Sequence, residues 1–113
     1  METDFNAVRD AGALEELFAR SNQEPVLIFK HSNACPISAQ AYKQMKDYKG
    51  DVSIIVVQQA RDVSQAVEQR TGVRHESPQA LVLRGGQVVW TASHFDITAA
   101  AVERAVREAG EKQ

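Results

Sequence analysis

The sequence predicts an α/β domain, a central mixed β-sheet flanked by helices, in the order β-α-β-α-β-α-β-β-α. Three observations predict it. Val26-Leu27-Ile28-Phe29 and Val52-Ser53-Ile54-Ile55-Val56-Val57 are near-continuous apolar runs, the pattern of strands covered on both faces. A stretch of helical spacing separates them, and two such strands joined by a helix form a right-handed parallel unit. Later, two β patterns flank Arg84-Gly85-Gly86, and glycines at so tight a turn mark an antiparallel hairpin.

The elements follow in order. Asp4 to Val8 alternates apolar and polar residues, as a short edge strand does. Leu14, Leu17 and Phe18 recur at helical spacing with Glu15 and Glu16 opposite, which predicts a helix from about Ala11 to Ser21. Asn22-Gln23-Glu24-Pro25 ends it before the first central strand. Beyond Cys35, the residues Ile37, Ala41, Met45 and Tyr48 form one helical stripe, with Lys43, Lys46 and Lys49 outside it. Gly50-Asp51 closes that helix before the second central strand. Asp62 suits the N-cap of a third helix carrying Val63, Ala66 and Val67, and Gly72 suits its C-terminal end. The hairpin strands are Gln79 to Leu83 and Gln87 to Ala92. A last helix, Ala-rich and of high propensity, runs from about Thr98 to Ala109, with Val102, Ala105 and Val106 inward and Gly110 closing it.

At 113 residues the chain makes one domain, residues 1–113, with no internal repeat, low-complexity stretch or linker. Hydrophobic residues are 43% and charged residues 25%, an ordinary globular balance. The net charge of −2 argues against a general nucleic-acid or membrane-surface binder. No run approaches the ~18 apolar residues of a membrane helix, and the acidic amino terminus lacks signal-peptide character, so a cytoplasmic location is expected. One cysteine and three histidines without paired spacing give no metal signature.

Chemistry concentrates at Lys30-His31-Ser32-Asn33-Ala34-Cys35-Pro36-Ile37-Ser38. Cys35 stands where the first central strand gives way to a helix, and Pro36 suits the first helical position. The sulfur therefore falls at a helix N-cap, where unpaired N–H groups and the positive end of the dipole favour a thiolate. Taken by itself, Cys35 is equally a small core hydrophobe. A dithiol oxidoreductase carries a second cysteine three residues on; here that place is Ser38, so a disulfide at Cys35 is intermolecular.

The element order is that of the thioredoxin fold, and the cysteine lies where open α/β sheets place their ligand sites. Gly72-Val73-Arg74-His75-Glu76-Ser77-Pro78 precedes the hairpin, and in thioredoxin-like proteins the proline there is cis and lies against the cysteine, which is expected of Pro78. Connectivity returns Ser93-His94-Phe95-Asp96 and Gln58-Gln59-Ala60-Arg61 to the cysteine end of the sheet. The expected rim is Lys30, His31, Arg61, Arg74, His75, Ser77 and His94. It is mostly basic, and it favours both the thiolate and an anionic thiol.

Lys30-His31-Ser32, Cys35-Pro36-Ile37-Ser38, Glu76-Ser77-Pro78-Gln79 and Ala92-Ser93-His94-Phe95-Asp96-Ile97-Thr98 together resemble the monothiol bacilliredoxins of the thioredoxin superfamily. The resemblance spans about Leu14 to Val106. It implies that Cys35 attacks the mixed disulfide between a protein and bacillithiol, a small thiol carrying glucosamine and malate. The reduced protein leaves, Cys35 keeps the bacillithiol, and a second thiol restores it. Lys30, His31, Pro36, Ser38, Ser77, Pro78 and His94 are the residues expected to meet that thiol. Partners on this reading are bacillithiol and bacillithiolated clients, with bacillithiol a redox co-substrate, no bound cofactor, and a monomer or weak dimer as the assembly. The buried Asp that thioredoxin keeps beneath its cysteines is matched here by Phe29, so no such proton relay is expected. An iron–sulfur carrier with two subunits sharing a cluster and a non-catalytic thioredoxin-like interaction module are the alternatives. A one-cysteine peroxidase fits less well, since only Ser32 imitates the proline and threonine that its motif needs.

Overall fold

The computed structural model describes residues 5–111. Its elements are β1 (Phe5–Ala7), α1 (Ala11–Arg20), β2 (Val26–His31), α2 (Pro36–Asp47), β3 (Val52–Val56), α3 (Arg61–Thr71), β4 (Gln79–Arg84), β5 (Gln87–Ser93) and α4 (Ala99–Gly110), with a 3-10 turn at His94–Asp96. The five strands form one sheet in the order β1-β3-β2-β4-β5. β2 and β3 run parallel at its centre, with Phe29 opposite Ile54, and β1 pairs parallel with β3. β4 is antiparallel to β2 and to β5. The expected α/β order and mixed sheet are therefore present. The edge strand expected at Asp4–Val8 is seen from Phe5, and Asp4 lies outside the described residues.

Period-two alternation divides β2 between two apolar layers. Leu27 and Phe29 join Ala41, Met45, Val102 and Ala105 beneath α2 and α4. Val26 and Ile28 join Leu14, Leu17, Phe18, Val63 and Val67 beneath α1 and α3. On that second face the Arg70 guanidinium lies 3.9 Å from the Phe18 ring centroid and bonds the Glu15 carboxylate, which ties α3 to α1.

Local chemistry sets the element ends. Asp10 caps α1 through Ala13 N–H at 2.8 Å, and Thr98 caps α4 through Ala101 N–H at 3.1 Å. Gly72 ends α3 at φ 73°, a left-handed conformation that glycine adopts without strain. Gly85 and Gly86, at φ 66° and 77°, make the hairpin turn, which Ser21 clasps through its carbonyl to Gly85 N–H and its hydroxyl to Gly86 N–H. Two expected boundaries move. Ala60, not Asp62, is the N-cap of α3, and the Asp62 carboxylate instead accepts from Val63 N–H at 3.0 Å. Gly110 is the last residue of α4 and Glu111 follows as its cap, since the helical Glu111 N–H still bonds back to Glu108.

Candidate redox site at the amino end of the second helix

Cys35 is the N-cap of α2, with extended backbone at φ −118° and Pro36 at the first helical position. Its carbonyl accepts from Ala39 N–H at 3.1 Å, so the helix begins at the cysteine. The side chain is half-buried and makes no capping bond to the first turn of α2.

A small polar network holds the preceding loop. Ser38, fully buried one turn into α2, accepts Ser32 N–H on its hydroxyl at 2.9 Å. Gln58, after β3, donates to the Ser32 hydroxyl at 2.7 Å and accepts Asn33 N–H at 3.2 Å. The position where a dithiol protein has its second sulfur therefore serves here to hold the loop before the cysteine. Sequence reasoning brought Gln58 to this end of the sheet but gave it no role. Nothing in its local pattern marks it, because its partners lie more than twenty residues away.

The facing loop precedes β4. The Ser77–Pro78 bond is cis, as expected, and Pro78 is buried. Its carbonyl accepts His94 N–H at 3.1 Å, so the return of the chain after β5 to this loop is present. His94 has φ 55°, unusual for a residue with a side chain, and its ring lies 3.8 Å from the Glu76 carboxylate. The following residue, Phe95, is 69% exposed. Gln79, opposite Lys30 in the sheet, donates its side-chain amide to Arg74 carbonyl at 2.9 Å and so braces the loop from below. The Ser77 hydroxyl is buried without a hydrogen-bond partner among the described residues.

The structure divides the expected basic rim. Lys30 and His31 are consecutive in β2 and so point to opposite faces of the sheet. Lys30 does not stand on the rim at all: it is 0% exposed, on the α1–α3 side, with its ammonium 3.2 Å from His75 Nδ1. The strand continues through it, and its long side chain is enclosed by α3 and the loop before Pro78. Burial lowers the Lys30 pKa below its ordinary range, with Glu68 acting in the opposite sense. His31 lies under α2, its ring 5.6 Å from that of Phe29 and 5.0 Å from that of Tyr42. Its Nδ1 is buried and unpartnered among the described residues, and burial lowers its pKa. His31 is thus a packing residue of the α2 layer in this geometry. Phe29 is fully buried in the apolar core beneath α2 and α4.

His75 is exposed and neutral in tendency. Burial of its Nδ1 edge and the nearby Lys30 charge both lower its pKa, against Glu68 and Glu76. Ser64 also lies 3.3 Å from Nδ1, and Glu68 accepts His75 N–H at 2.9 Å. The Ser64 and Glu68 contacts escaped sequence reasoning, although both fall at helical spacing on α3. Among the described residues no group of three or more His, Cys, Asp or Glu is placed to hold a metal ion, and no helix is long and apolar enough to cross a membrane.

A lone half-exposed thiol at a helix N-cap, on a five-stranded α/β sheet with a cis-proline loop beside it, defines a monothiol redox protein of the thioredoxin fold. Comparison with known proteins agrees and narrows the class. The family model of "Monothiol bacilliredoxin BrxC" matches residues 6–102, and the chain belongs to that family. A solved structure described as "A putative oxidoreductase with a thioredoxin fold" is 33% identical, with a TM-score of 0.81, over 89% of this chain and 92% of that one. A mutant thioredoxin from Halobacterium salinarum aligns at 16% identity and a TM-score of 0.73, over 97% and 94% of the two chains. Thioredoxin from Schistosoma mansoni aligns at 14% and 0.71, over 93% and 94%. At such identities these two share the fold alone.

Proposed function

We propose that this protein is a thiol–disulfide oxidoreductase that removes bacillithiol from protein mixed disulfides by a monothiol route. The observation that carries the proposal is Cys35 itself: a half-exposed N-cap thiol whose helix places a buried serine, not a second sulfur, one turn on. The Cys35 thiolate attacks the bacillithiol sulfur of the mixed disulfide, forming a new S–S bond as the old one breaks. The client leaves as a thiolate and takes a proton from water. A second thiolate from solution then attacks the Cys35 disulfide, regenerating the Cys35 thiolate and carrying bacillithiol away in a new disulfide. Each step is an exchange, so no electron acceptor is required. Membership of the bacilliredoxin family supports bacillithiol as the thiol, and bacillithiolated proteins in the cytoplasm are the clients on this reading.

The test incubates a bacillithiolated protein with the wild type and with Cys35→Ser, followed by intact-mass spectrometry. Loss of the bacillithiol mass from the client and its gain on the wild type alone are expected. A client that keeps its bacillithiol in both reactions rejects the mechanism.

A further inference from the structure

A cavity of about 270 Å³ opens on the α3 side of the sheet, lined by Val57, Arg61, Ser64, Gln65, Glu68 and His75. It adjoins the two segments that bracket the cysteine. Val57 N–H bonds the His31 carbonyl at 2.9 Å, and the next residue, Gln58, holds Ser32 and Asn33 of the cysteine loop. On the other side, His75 lies three residues before Pro78.

Its lining carries one guanidinium and one carboxylate, and the two are differently engaged. Arg61, exposed in the first turn of α3, makes no ion pair or side-chain hydrogen bond among the described residues. Lys30 lies fully buried behind His75, and among the described residues its ammonium makes no ion pair, although the Glu68 charge acts on it. The single acidic lining residue, Glu68, has one oxygen committed to His75 N–H. The ammonium of Lys30 has only donors to offer, so His75 Nδ1 accepts and the ring proton sits on Nε2, leaving that nitrogen a donor. One cation, Arg61, and the imidazole donor of His75 thus line the cavity with one engaged carboxylate, while the Lys30 ammonium lies buried behind the ring. The size is near the lower end of small-molecule sites, suited to a fragment and not to a folded partner.

We propose that this cavity is the subsite for the carboxylate-bearing half of the small thiol exchanged at Cys35, with Arg61 as its ion-pairing residue and His75 Nε2 as its hydrogen-bond donor. The inference rests on the thiol exchange proposed above and assigns its specificity to a place that the linear pattern around Cys35 does not include. Lys30 is a positioning residue: its ammonium fixes the tautomer and orientation of His75 and adds buried positive charge behind it.

The test compares two disulfides. Second-order rates of reaction with Cys35 are measured for oxidised bacillithiol, which carries carboxylates, and for bis(2-hydroxyethyl) disulfide, which carries none. The ratio of the two rates is the readout, since it cancels changes in the intrinsic reactivity of the sulfur. A wild-type ratio well above one is expected, falling tenfold or more in Arg61→Ala and further in Arg61→Glu, with Arg61→Lys recovering most of it. The wild-type ratio should also shrink as salt rises, because exposed charges are screened. As a readout independent of reaction, reduced bacillithiol added to Cys35→Ser should shift the amide resonances of Ser64, Gln65 and His75. A wild type without preference for oxidised bacillithiol overturns the thiol assignment and the subsite together. A preference that survives intact in Arg61→Ala and Arg61→Glu, with unshifted α3 amides, overturns the subsite and leaves the exchange standing.

Discussion

Lys30 and His31 show what one residue of difference means in a strand. Their side chains enter opposite layers, and each meets a cost that the other does not. Among the described residues His31 leaves one buried ring nitrogen, Nδ1, without a partner between Phe29 and Tyr42. Replacing it with phenylalanine keeps the ring and removes that nitrogen, so His31→Phe should stabilise the fold by about 1 kcal/mol in urea denaturation at pH 7. The same variant has a pH signature. An unfolded histidine takes up its proton near 6.5, whereas burial holds the folded His31 neutral to lower pH. The unfolded state then binds more protons as pH falls below about 6.5, and stability is lost through the folded value. The stability advantage of His31→Phe should therefore widen between pH 7 and pH 5; a constant gap would contradict the buried neutral ring. Ser38 is the opposite case, a buried hydroxyl that is used. Ser38→Ala strands Ser32 N–H and should cost about 1–2 kcal/mol by the same measurement.

At the scale of elements, helix starts carry much of the legible information and some of the error. Thr98 before the Ala-rich stretch reads as a cap and is one, so Thr98→Ala should lower stability by about 1 kcal/mol in thermal or urea unfolding. Asp62 has the right residue type but lies one residue inside α3, where its carboxylate meets only its neighbour's amide. A one- or two-residue shift at a helix end is invisible to composition, because the turn after β3, closed by Ala60 N–H on the Val56 carbonyl, decides where α3 starts. The N-cap at Cys35 was legible for a firmer reason: Pro36 lacks an N–H and fixes φ, which admits the first helical position and little else nearby. The hairpin was legible too, since Gly85 and Gly86 both take positive φ. Gln58 was not, because its partners come from the loop before α2, and Ser64 and Glu68 were not, because the loop after Gly72 must fold back over α3 before His75 reaches them.

For the molecule as a whole, stability rests on two apolar layers meeting a single sheet. Phe29 is fully buried in the layer under α2 and α4. Phe29→Ala should cost about 3–5 kcal/mol, a large part of the ~5–15 kcal/mol that holds a domain together. A urea midpoint barely moved from wild type would show that this layer does not carry the fold. The same two-layer construction explains how the site is divided. The thiol stands at the sheet end, on the helix that covers one layer, while Lys30 and His75 belong to the other. The sequence by itself determined the α/β order, the mixed sheet, the helix-capping thiol and the missing second sulfur, because each depends on local periodicity, turn residues or a count of cysteines. Only the tertiary structure decided which basic residues share a face. A strand alternates every residue and the sheet has two sides, so charges that cluster in the chain are sorted apart by packing, and Lys30 is buried beside His75 while His31 lies under α2.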